Sequence, residues 1–160
     1  MRIGIMSDSH GNTMAIDAAV QLAGAVDLWL HAGDCIQDAE YLQLAADTEV
    51  ALVAGNCDWP GSSAPQERIV AAGGHRIFLT HGHVYGVRYD TEALQEAAGE
   101  QGADIAVYGH THVAEISLGD IFVLNPGSVA RPRDESQGSF LLLDLVEGHS
   151  PKVKLVRLKI

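Results

Sequence analysis

Five short apolar runs in this chain each end in a cluster that combines glycine, aspartate, asparagine or histidine. The clusters are Asp8-Ser9-His10, Gly33-Asp34, Gly55-Asn56, Thr80-His81-Gly82-His83 and Gly109-His110-Thr111-His112. In open α/β sheets, ligands bind beyond the carboxyl ends of the strands, so we expect these side chains to converge on one site. The glycines permit tight turns and close approach of the backbone. The pattern therefore predicts an α/β fold with a polar site at one sheet edge.

Strand-like runs alternate with alanine-rich helical segments in the first part of the chain and with turns in the last fifty residues. Strands are predicted at 2–6, 27–31, 49–54, 67–72, 75–80, 104–108, 113–118, 121–125, 138–145 and 152–160. Helices are predicted at 13–24, with Asn12 as N-cap and Gly24 as the stop, at about 38–46 and at about 91–100. The last strand alternates apolar and basic residues with one slip, which indicates a bulge. We expect one domain over residues 1–160, with two sheets and helices packed outside them.

The bulk composition excludes several classes of protein. The net charge of -11 comes from 21 acidic and 10 basic side chains, and such a surface repels polyanions, so no nucleic-acid-binding surface is expected. Two cysteines, Cys35 and Cys57, imply no disulfide framework. The sequence shows neither a secretory signal nor an apolar run of the roughly 20 residues that a membrane helix needs. We therefore expect a cytoplasmic protein without membrane association.

The polar clusters supply metal ligands. Their imidazoles, two carboxylates and one carboxamide suit borderline divalent metals such as Mn²⁺, Fe²⁺, Zn²⁺, Ni²⁺ or Co²⁺. The candidate ligands are Asp8, His10, Asp34, Asn56, His81, His110 and His112. Seven ligands are too many for one such ion, whereas two ions sharing a carboxylate account for them. A two-metal site of this kind suits the hydrolysis of phosphate esters.

The order of these motifs resembles that of the calcineurin-like metallophosphoesterase superfamily. The matching pattern is Asp-x-His, Gly-Asp, Gly-Asn-x-Asp, His-Gly-His and Gly-His-Thr-His, over residues 8–112. The turn Asn125-Pro126-Gly127-Ser128 is typical of the small phosphodiesterase-like branch. The resemblance implies a four-layer α/β/β/α sandwich with two mixed β-sheets and the metal site on their shared edge.

The resemblance also implies a role for each residue. Asp8, His10 and His112 would ligate one ion, Asn56, His81 and His110 would ligate the other, and Asp34 would bridge both. A hydroxide between the ions would attack phosphorus, with Asp34 and Asn56 counted as catalytic. Mn²⁺ is the expected metal. Asn12, at a helix start, and His83 are candidate substrate-binding residues.

Two departures from the superfamily pattern narrow the activity. Cys57 stands where many members have a histidine that acts as general acid, and a thiol with an ordinary pKa of about 8.5 is a weak hydrogen-bond donor. The general acid is therefore unidentified, which favours substrates with a good leaving group. The chain reads Cys35-Ile36-Gln37 after Asp34 and lacks the Asp-Arg-Gly of phosphoprotein phosphatases, so protein phosphatase activity is disfavoured.

Two hypotheses of different classes remain open. The first is a metal-dependent phosphodiesterase acting on a small phosphodiester or phosphomonoester. The second is a scaffold or binding module of the same fold, like the related retromer subunit, with little or no catalysis. Hydrolysis of a dinucleoside polyphosphate is neither supported nor excluded, and assembly into a homo-oligomer is left open.

Other polar and aromatic residues have ordinary structural interpretations. His31 is expected to be buried beside the site, and His75 and His149 to be solvated in turns. Asp58 either orients the site or stabilises a turn. Arg131 and Arg133 are expected to be solvated rather than to reach a substrate anion. Trp29 is expected in the core, Trp59 at the mouth of the site, and Cys35 in packing.

Overall fold

The computed structural model describes residues 1–159 and contains ten strands and three helices in that range. The strands are β1 (Arg2–Met6), β2 (Leu28–His31), β3 (Val50–Leu52), β4 (Glu67–Ala72), β5 (His75–Thr80), β6 (Ile105–Val107), β7 (Ala114–Ser117), β8 (Phe122–Pro126), β9 (Ser139–Asp144) and β10 (Lys152–Arg157). The helices are α1 (Thr13–Ala23), α2 (Ile36–Ala46) and α3 (Glu92–Glu100), and a 3₁₀ turn covers His83–Tyr85.

The strands form two mixed five-stranded sheets, in the orders β10-β9-β1-β2-β3 and β4-β5-β6-β8-β7. In the first sheet β1, β2 and β3 are parallel, and β9 is antiparallel to both β1 and β10. In the second sheet β5, β6 and β8 are parallel, and β4 and β7 pair antiparallel at the two edges. Each sheet therefore has a parallel centre whose strands end on the same side.

The main core lies between the two sheets, where buried Ile3, Ile5, Ile77 and Leu79 pack together with other inward-facing side chains. A second cluster joins the first sheet to α1 and α2, and it contains Trp29, 1% exposed, as predicted. A third cluster packs α3 on the second sheet. These layers confirm the four-layer α/β/β/α sandwich. None of the helices within residues 1–159 has the length and apolarity that a membrane crossing requires.

Helix α1 and the hairpin of β4 and β5 match the sequence prediction, including Asn12 as N-cap through its Oδ1, which accepts from the Ala15 amide at 3.0 Å. Helix α2 begins two residues earlier than predicted, at Ile36. The Asp58 carboxylate accepts from the amides of Cys35 and Ile36 at 2.9 and 2.8 Å, so a distant residue caps this helix. Local sequence could not show that cap.

The bulge expected in the last strand is wrong. Strand β10 pairs with β9 in one continuous register, from Lys152 opposite Asp144 to Arg157 opposite Ser139. The slip in the alternation is the apolar pair Leu155 and Val156, and both are used: Leu155 packs between the sheets and Val156 packs toward the helices. Two apolar faces, rather than an extra residue, explain the pattern. Residue 160, in the predicted strand, lies outside the described residues.

Candidate metal centre

All seven candidate ligands lie at the edge where the parallel strands of both sheets end. Asp8 follows β1, Asp34 follows β2, Asn56 follows β3, His81 follows β5 and His110 follows β6. Because the two sheets pack face to face, these loops meet. His112 Nε2 lies 3.3 Å from Asp8 Oδ1, and His81 Nε2 lies 3.4 Å from Asp34 Oδ1.

Two groups of side chains have the spacing of metal ligands, with ligand atoms within 4.8 Å of one another: Asp8, His10 and His112, and Asp8, Asp34 and His81. Asp34 Oδ2 is also 3.9 Å from His10 Nε2. Asp34 thus lies between one histidine of each predicted ligand set. Asp8 belongs to both groups as well, a central position that the sequence did not assign to it.

Asn56 brings the remaining ligands together. Its Oδ1 lies 2.9 Å from His81 Nε2 and 3.0 Å from His110 Nδ1. Its side-chain nitrogen points away, toward the Cys57 sulfur at 3.6 Å. One carboxamide oxygen and two imidazole nitrogens therefore converge on one point beside Asp34.

Around Asp8 and Asp34 the atoms that face one another are mainly electron-pair donors, whereas the neutral His110 ring accepts from Arg88 at Nε2 and turns its Nδ1 proton toward Asn56. His81 Nδ1 donates to the Ala32 carbonyl at 2.7 Å, so in the neutral ring the lone pair of Nε2 faces Asn56 and Asp34. His112 Nδ1 donates to the Arg131 carbonyl at 2.7 Å, and its Nε2 faces Asp8 in the same way. These carbonyl partners orient the imidazoles as outer partners do in metal sites. Opposed lone pairs call for a cation.

Asp8 has one carboxylate oxygen that is fixed and one that is unused. Oδ2 accepts from the Ser7 hydroxyl at 2.6 Å and from the His110 amide at 3.1 Å. Oδ1 is buried and has no hydrogen-bond partner among residues 1–159. A buried carboxylate oxygen without a donor is costly unless a cation binds it. The residues present thus fit a divalent metal.

Five of the seven candidate ligands have left-handed backbone: Asp8 (φ 55°), His10 (45°), Asp34 (62°), His110 (70°) and His112 (61°). Within residues 1–159 only two other non-glycine residues have it, Cys35 beside Asp34 and Asp47. Such a conformation costs on the order of 1–3 kcal/mol per residue, and it clusters at functional sites. The left-handed backbone at these positions therefore lowers the stability of the fold but directs the ligand side chains toward one another.

Three glycines leave the space that the ligands occupy. A Cβ on Gly33 would lie 2.6 Å from His81 Nδ1, one on Gly55 would lie 2.1 Å from Asp34 Oδ1, and one on Gly109 would lie 2.7 Å from Asp8 Oδ2. The role predicted for glycine beside the polar clusters is confirmed at these positions.

The Asn-Pro-Gly-Ser turn ties the loops of the two sheets together. Asn125 Nδ2 donates to the Gly109 carbonyl at 3.1 Å and to the Thr111 hydroxyl at 3.0 Å. The Ser128 hydroxyl donates to the Asp8 carbonyl at 2.8 Å. Both side chains are fully buried. The turn therefore acts as a clamp behind the ligands.

The surroundings keep Asp8 and His110 in the protonation states that bind a cation at neutral pH. Burial disfavours the charged form of Asp8, but His112, His81 and Ser7 outweigh it and lower the pKa of Asp8 to about 2. Burial, together with neighbouring His81 and Arg88, lowers the pKa of His110 to about 4. The neighbouring Asp8 carboxylate raises the pKa of His112. At pH 7 Asp8 is therefore an anion and His110 is neutral.

The ligands line an open cavity of about 300 Å³. Its walls are His10, Asp34, Asn56, Cys57, Arg88, His110, His112, Arg131 and Arg133. Arg131 and Arg133 are exposed, in keeping with the expected solvation, and both also line this cavity. Arg88 was missed: no motif marks it, although its Nε donates to His110 Nε2 at 3.1 Å.

The two predicted substrate-binding residues are placed differently. His83 lies beside the cavity, with its ring centroid 5.5 Å from that of His81, and its buried Nδ1 has no partner among residues 1–159. It lines an adjoining pocket with Asn56 and Trp59, whose side chain is 83% exposed. Asn12 caps α1 and lines a separate groove along that helix.

Burial and hydrogen bonds show the roles of three further polar residues. His31 is buried and pairs with Ser9 at 3.0 Å, as expected. Asp58 links the Asp34 loop to the Asn56 loop, because it caps α2 and its Oδ2 accepts from the Gly55 amide at 2.7 Å. The prediction that His75 lies solvated in a turn is wrong. His75 is the first residue of β5, and its Nδ1 forms a hydrogen bond with the Asp104 carboxylate.

The loop that carries Arg131 and Arg133 is anchored by an ion pair. Arg157 donates to both oxygens of Asp134, at 3.1 and 2.9 Å, and Asp134 Oδ2 also accepts from the Ala114 amide at 2.8 Å. The hydrogen bond from Arg157 lowers the pKa of Asp134 below its ordinary 3.8.

We expect Asp134→Asn to lower the free energy of unfolding at pH 7 by about 1–3 kcal/mol, since a charge-assisted pair is lost. Because the folded-state pKa is lowered, the carboxylate stabilises fully above the unfolded value and loses its effect as pH falls through the folded value. Urea unfolding of both proteins at pH 7 and pH 3 tests this, and a difference that persists unchanged at pH 3 would contradict it.

Residues 1–148 match the model of the calcineurin-like phosphoesterase superfamily domain, and the chain belongs to that family. Among curated relatives, it is 34% identical to the probable metallophosphoesterase YsnB of Bacillus subtilis, over 91% of this chain and 85% of the relative. It is 33% identical to the phosphodiesterase YfcE of Escherichia coli, over 90% and 88%.

Solved structures agree with the fold. A predicted phosphoesterase from Streptococcus pneumoniae superposes with a TM-score of 0.75 at 27% identity, covering 97% of both chains. The zinc complex of Vps29 from Entamoeba histolytica reaches 0.76 at 24% identity, covering 98% of this chain and 99% of that one, and shows the fold alone. The fold therefore occurs both in phosphoesterases and in Vps29 proteins.

Proposed function

We propose that this chain is a binuclear metal-dependent phosphodiesterase. The observation that carries the proposal is the buried cluster of opposed lone pairs, in which Asp8 Oδ1 has no hydrogen-bond donor among residues 1–159. Asp8, His10 and His112 would hold one ion, and Asn56, His81 and His110 the other, with Asp34 between them. Mn²⁺ is the metal we expect, with Fe²⁺, Zn²⁺, Ni²⁺ and Co²⁺ as alternatives.

Two bound ions would supply Lewis acidity toward the phosphoryl oxygens and a water of lowered pKa. The protein's own part is to position these ligands before substrate arrives. The carbonyls of Ala32 and Arg131 fix the rings of His81 and His112, and the Asp34 carboxylate is held by the Cys57 amide at 3.0 Å. Such preorganisation is the main requirement for phosphoryl transfer.

Cys57 is a poor general acid in this setting. Burial and the neighbouring Asp34 raise the pKa of its thiol to about 11, so the proton stays on a weak donor. Burial lowers the pKa of two other histidines of the cavity, His10 and His110, which keeps them neutral at neutral pH, and His112 would be a metal ligand. The site therefore favours esters whose leaving group departs without protonation, such as aryl phosphodiesters.

The open cavity suits a small phosphodiester or phosphomonoester. His83, with its unpartnered Nδ1 beside the ligands, is the better supported of the two substrate-binding candidates. Asn12 could contact only a substrate that extends to the start of α1. Its side-chain oxygen already accepts a hydrogen bond from the Ala15 amide.

A panel of metals and substrates tests the proposal. Chelator-treated protein is reloaded with Mn²⁺, Zn²⁺, Ni²⁺, Co²⁺ or Mg²⁺ and assayed on bis(p-nitrophenyl) phosphate and p-nitrophenyl phosphate. We expect turnover with Mn²⁺ and a preference for the diester. Absence of turnover with every metal would refute the proposal and favour the scaffold.

The scaffold alternative is supported by similarity to Vps29 proteins. The chain is 34% identical to vacuolar protein sorting-associated protein 29 of Schizosaccharomyces pombe, over 66% of this chain and 60% of the relative. Every expected ligand position is filled here, which favours catalysis.

A further inference from the structure

Three arginines surround the mouth of the metal cavity. Arg88, Arg131 and Arg133 line it with exposed side chains, and none of them forms an ion pair with a carboxylate of residues 1–159. By contrast, Arg2 and Arg157 are both paired, with Asp144 and Asp134. In a chain of net charge -11 with 21 acidic residues, unpaired guanidiniums gathered at one cavity mark a local binding site for anions.

The backbone on either side of the cavity holds these arginines in place. The Arg131 amide donates to the Ser128 hydroxyl at 2.7 Å, and the Arg133 amide donates to the His112 carbonyl at 2.9 Å. Arg88 is tied to His110 through Nε. Neither the Arg131 nor the Arg133 guanidinium donates a hydrogen bond to a residue in 1–159, so their forked donors are available to a ligand.

The charge at the site exceeds what one phosphodiester needs. Two divalent ions held by the carboxylates of Asp8 and Asp34 would already leave a net positive site for one phosphoryl group. A single phosphoryl group bound to the metal ions would leave the three arginines at the rim without an anionic partner. Guanidinium groups match phosphate oxygens in bidentate pairs. Three guanidinium groups offer more donors than the two oxygens of one carboxylate accept, so they suit a phosphate better than a carboxylate.

We propose that the substrate is a phosphoester carrying at least one further phosphate next to the scissile group, an oligophosphate ester, and that Arg88, Arg131 and Arg133 bind this second anion. The inference rests on the proposed phosphoesterase function. In the reaction, water adds to the terminal phosphorus, the bond from that phosphorus to the ester oxygen breaks, and the alcohol or phenol leaves, with the oligophosphate released intact.

Two substrates with the same nucleoside and leaving group test this inference. They are the p-nitrophenyl ester of thymidine 5′-monophosphate and the γ-p-nitrophenyl ester of thymidine 5′-triphosphate, with p-nitrophenol release as the readout. We expect kcat/KM to be about tenfold higher for the triphosphate ester, and Arg131→Ala/Arg133→Ala to remove that advantage through KM. The loss in kcat/KM should be clearly smaller for the monophosphate ester than for the triphosphate ester.

Arg68→Ala, an exposed arginine on β4, is the matched control and should affect neither substrate. Equal losses on both esters would overturn the inference, because the arginines would then act on the scissile phosphoryl group itself. If wild-type protein hydrolyses neither ester, the proposed function fails. Calorimetric titration with thymidine 5′-triphosphate and thymidine 5′-monophosphate at fixed free Mn²⁺ then still tests the arginines, and equal affinities would overturn their role.

Discussion

Asp34→Asn is expected to lower kcat/KM for bis(p-nitrophenyl) phosphate by on the order of 10³-fold. The substitution keeps the shape of the side chain and an oxygen for the Cys57 amide, but it removes the charge that faces both His10 and His81. Metal ions supply several kcal/mol of transition-state stabilisation, and each 1.36 kcal/mol corresponds to tenfold in rate. Steady-state kinetics on Mn²⁺-loaded protein measures the loss.

Asp120→Asn is the matched control, an exposed aspartate outside the metal cavity, and should leave the rate unchanged. If Asp34→Asn kept a turnover within threefold of wild type, the assignment of Asp34 as a shared metal ligand would be wrong. The unfolding temperature of each variant shows whether a loss of rate comes from a loss of fold.

Gly55→Ala is expected to lower kcat about 100-fold, although no ligand residue is itself replaced. Its new Cβ would lie 2.1 Å from Asp34 Oδ1 and 2.5 Å from the Asp34 backbone nitrogen, so the Asp34 loop must move. A displacement of about 1 Å in a catalytic group costs on the order of 10²-fold. The kcat value, from steady-state assays, and the metal affinity, from calorimetry, should both decrease.

Gly99→Ala provides the comparison within the same chain. Its Cβ would meet only Ile121 Cδ1, at 3.6 Å, and the residue lies in α3, where alanine is favoured over glycine. We expect full activity and equal or higher stability. Full activity in Gly55→Ala as well would show that the close approach to Asp34 is not needed.

Short-range patterns were sufficient to predict two sheets with helices outside them and the meeting of seven ligands, and the resemblance to the metallophosphoesterase superfamily implied the four-layer sandwich. Apolar runs identify strands, and the residue that ends a parallel strand must lie at the sheet edge. The hairpin of β4 and β5 was predicted to the residue, since Gly73 and Gly74 mark its turn.

Other features depend on contacts between distant residues and could not be predicted. The start of α2 at Ile36 depends on Asp58, 22 positions away. The pairing of His75 depends on Asp104, which the parallel neighbour β6 brings alongside. Arg88 reaches the cavity only because the segment after β5 folds back toward His110. The left-handed backbone of Asp8 and its neighbours has no local signature, because the clamp around them is tertiary.

Metal stoichiometry tests the central claim most directly. Chelator-treated protein is dialysed against Mn²⁺, and bound metal is measured per chain by mass spectrometry, with Asp8→Asn treated in parallel. We expect about two ions per wild-type chain and a clear loss in Asp8→Asn, because Asp8 belongs to both ligand groups. A reproducible value near zero for the wild-type chain, or a value that Asp8→Asn does not change, would contradict the binuclear metal centre.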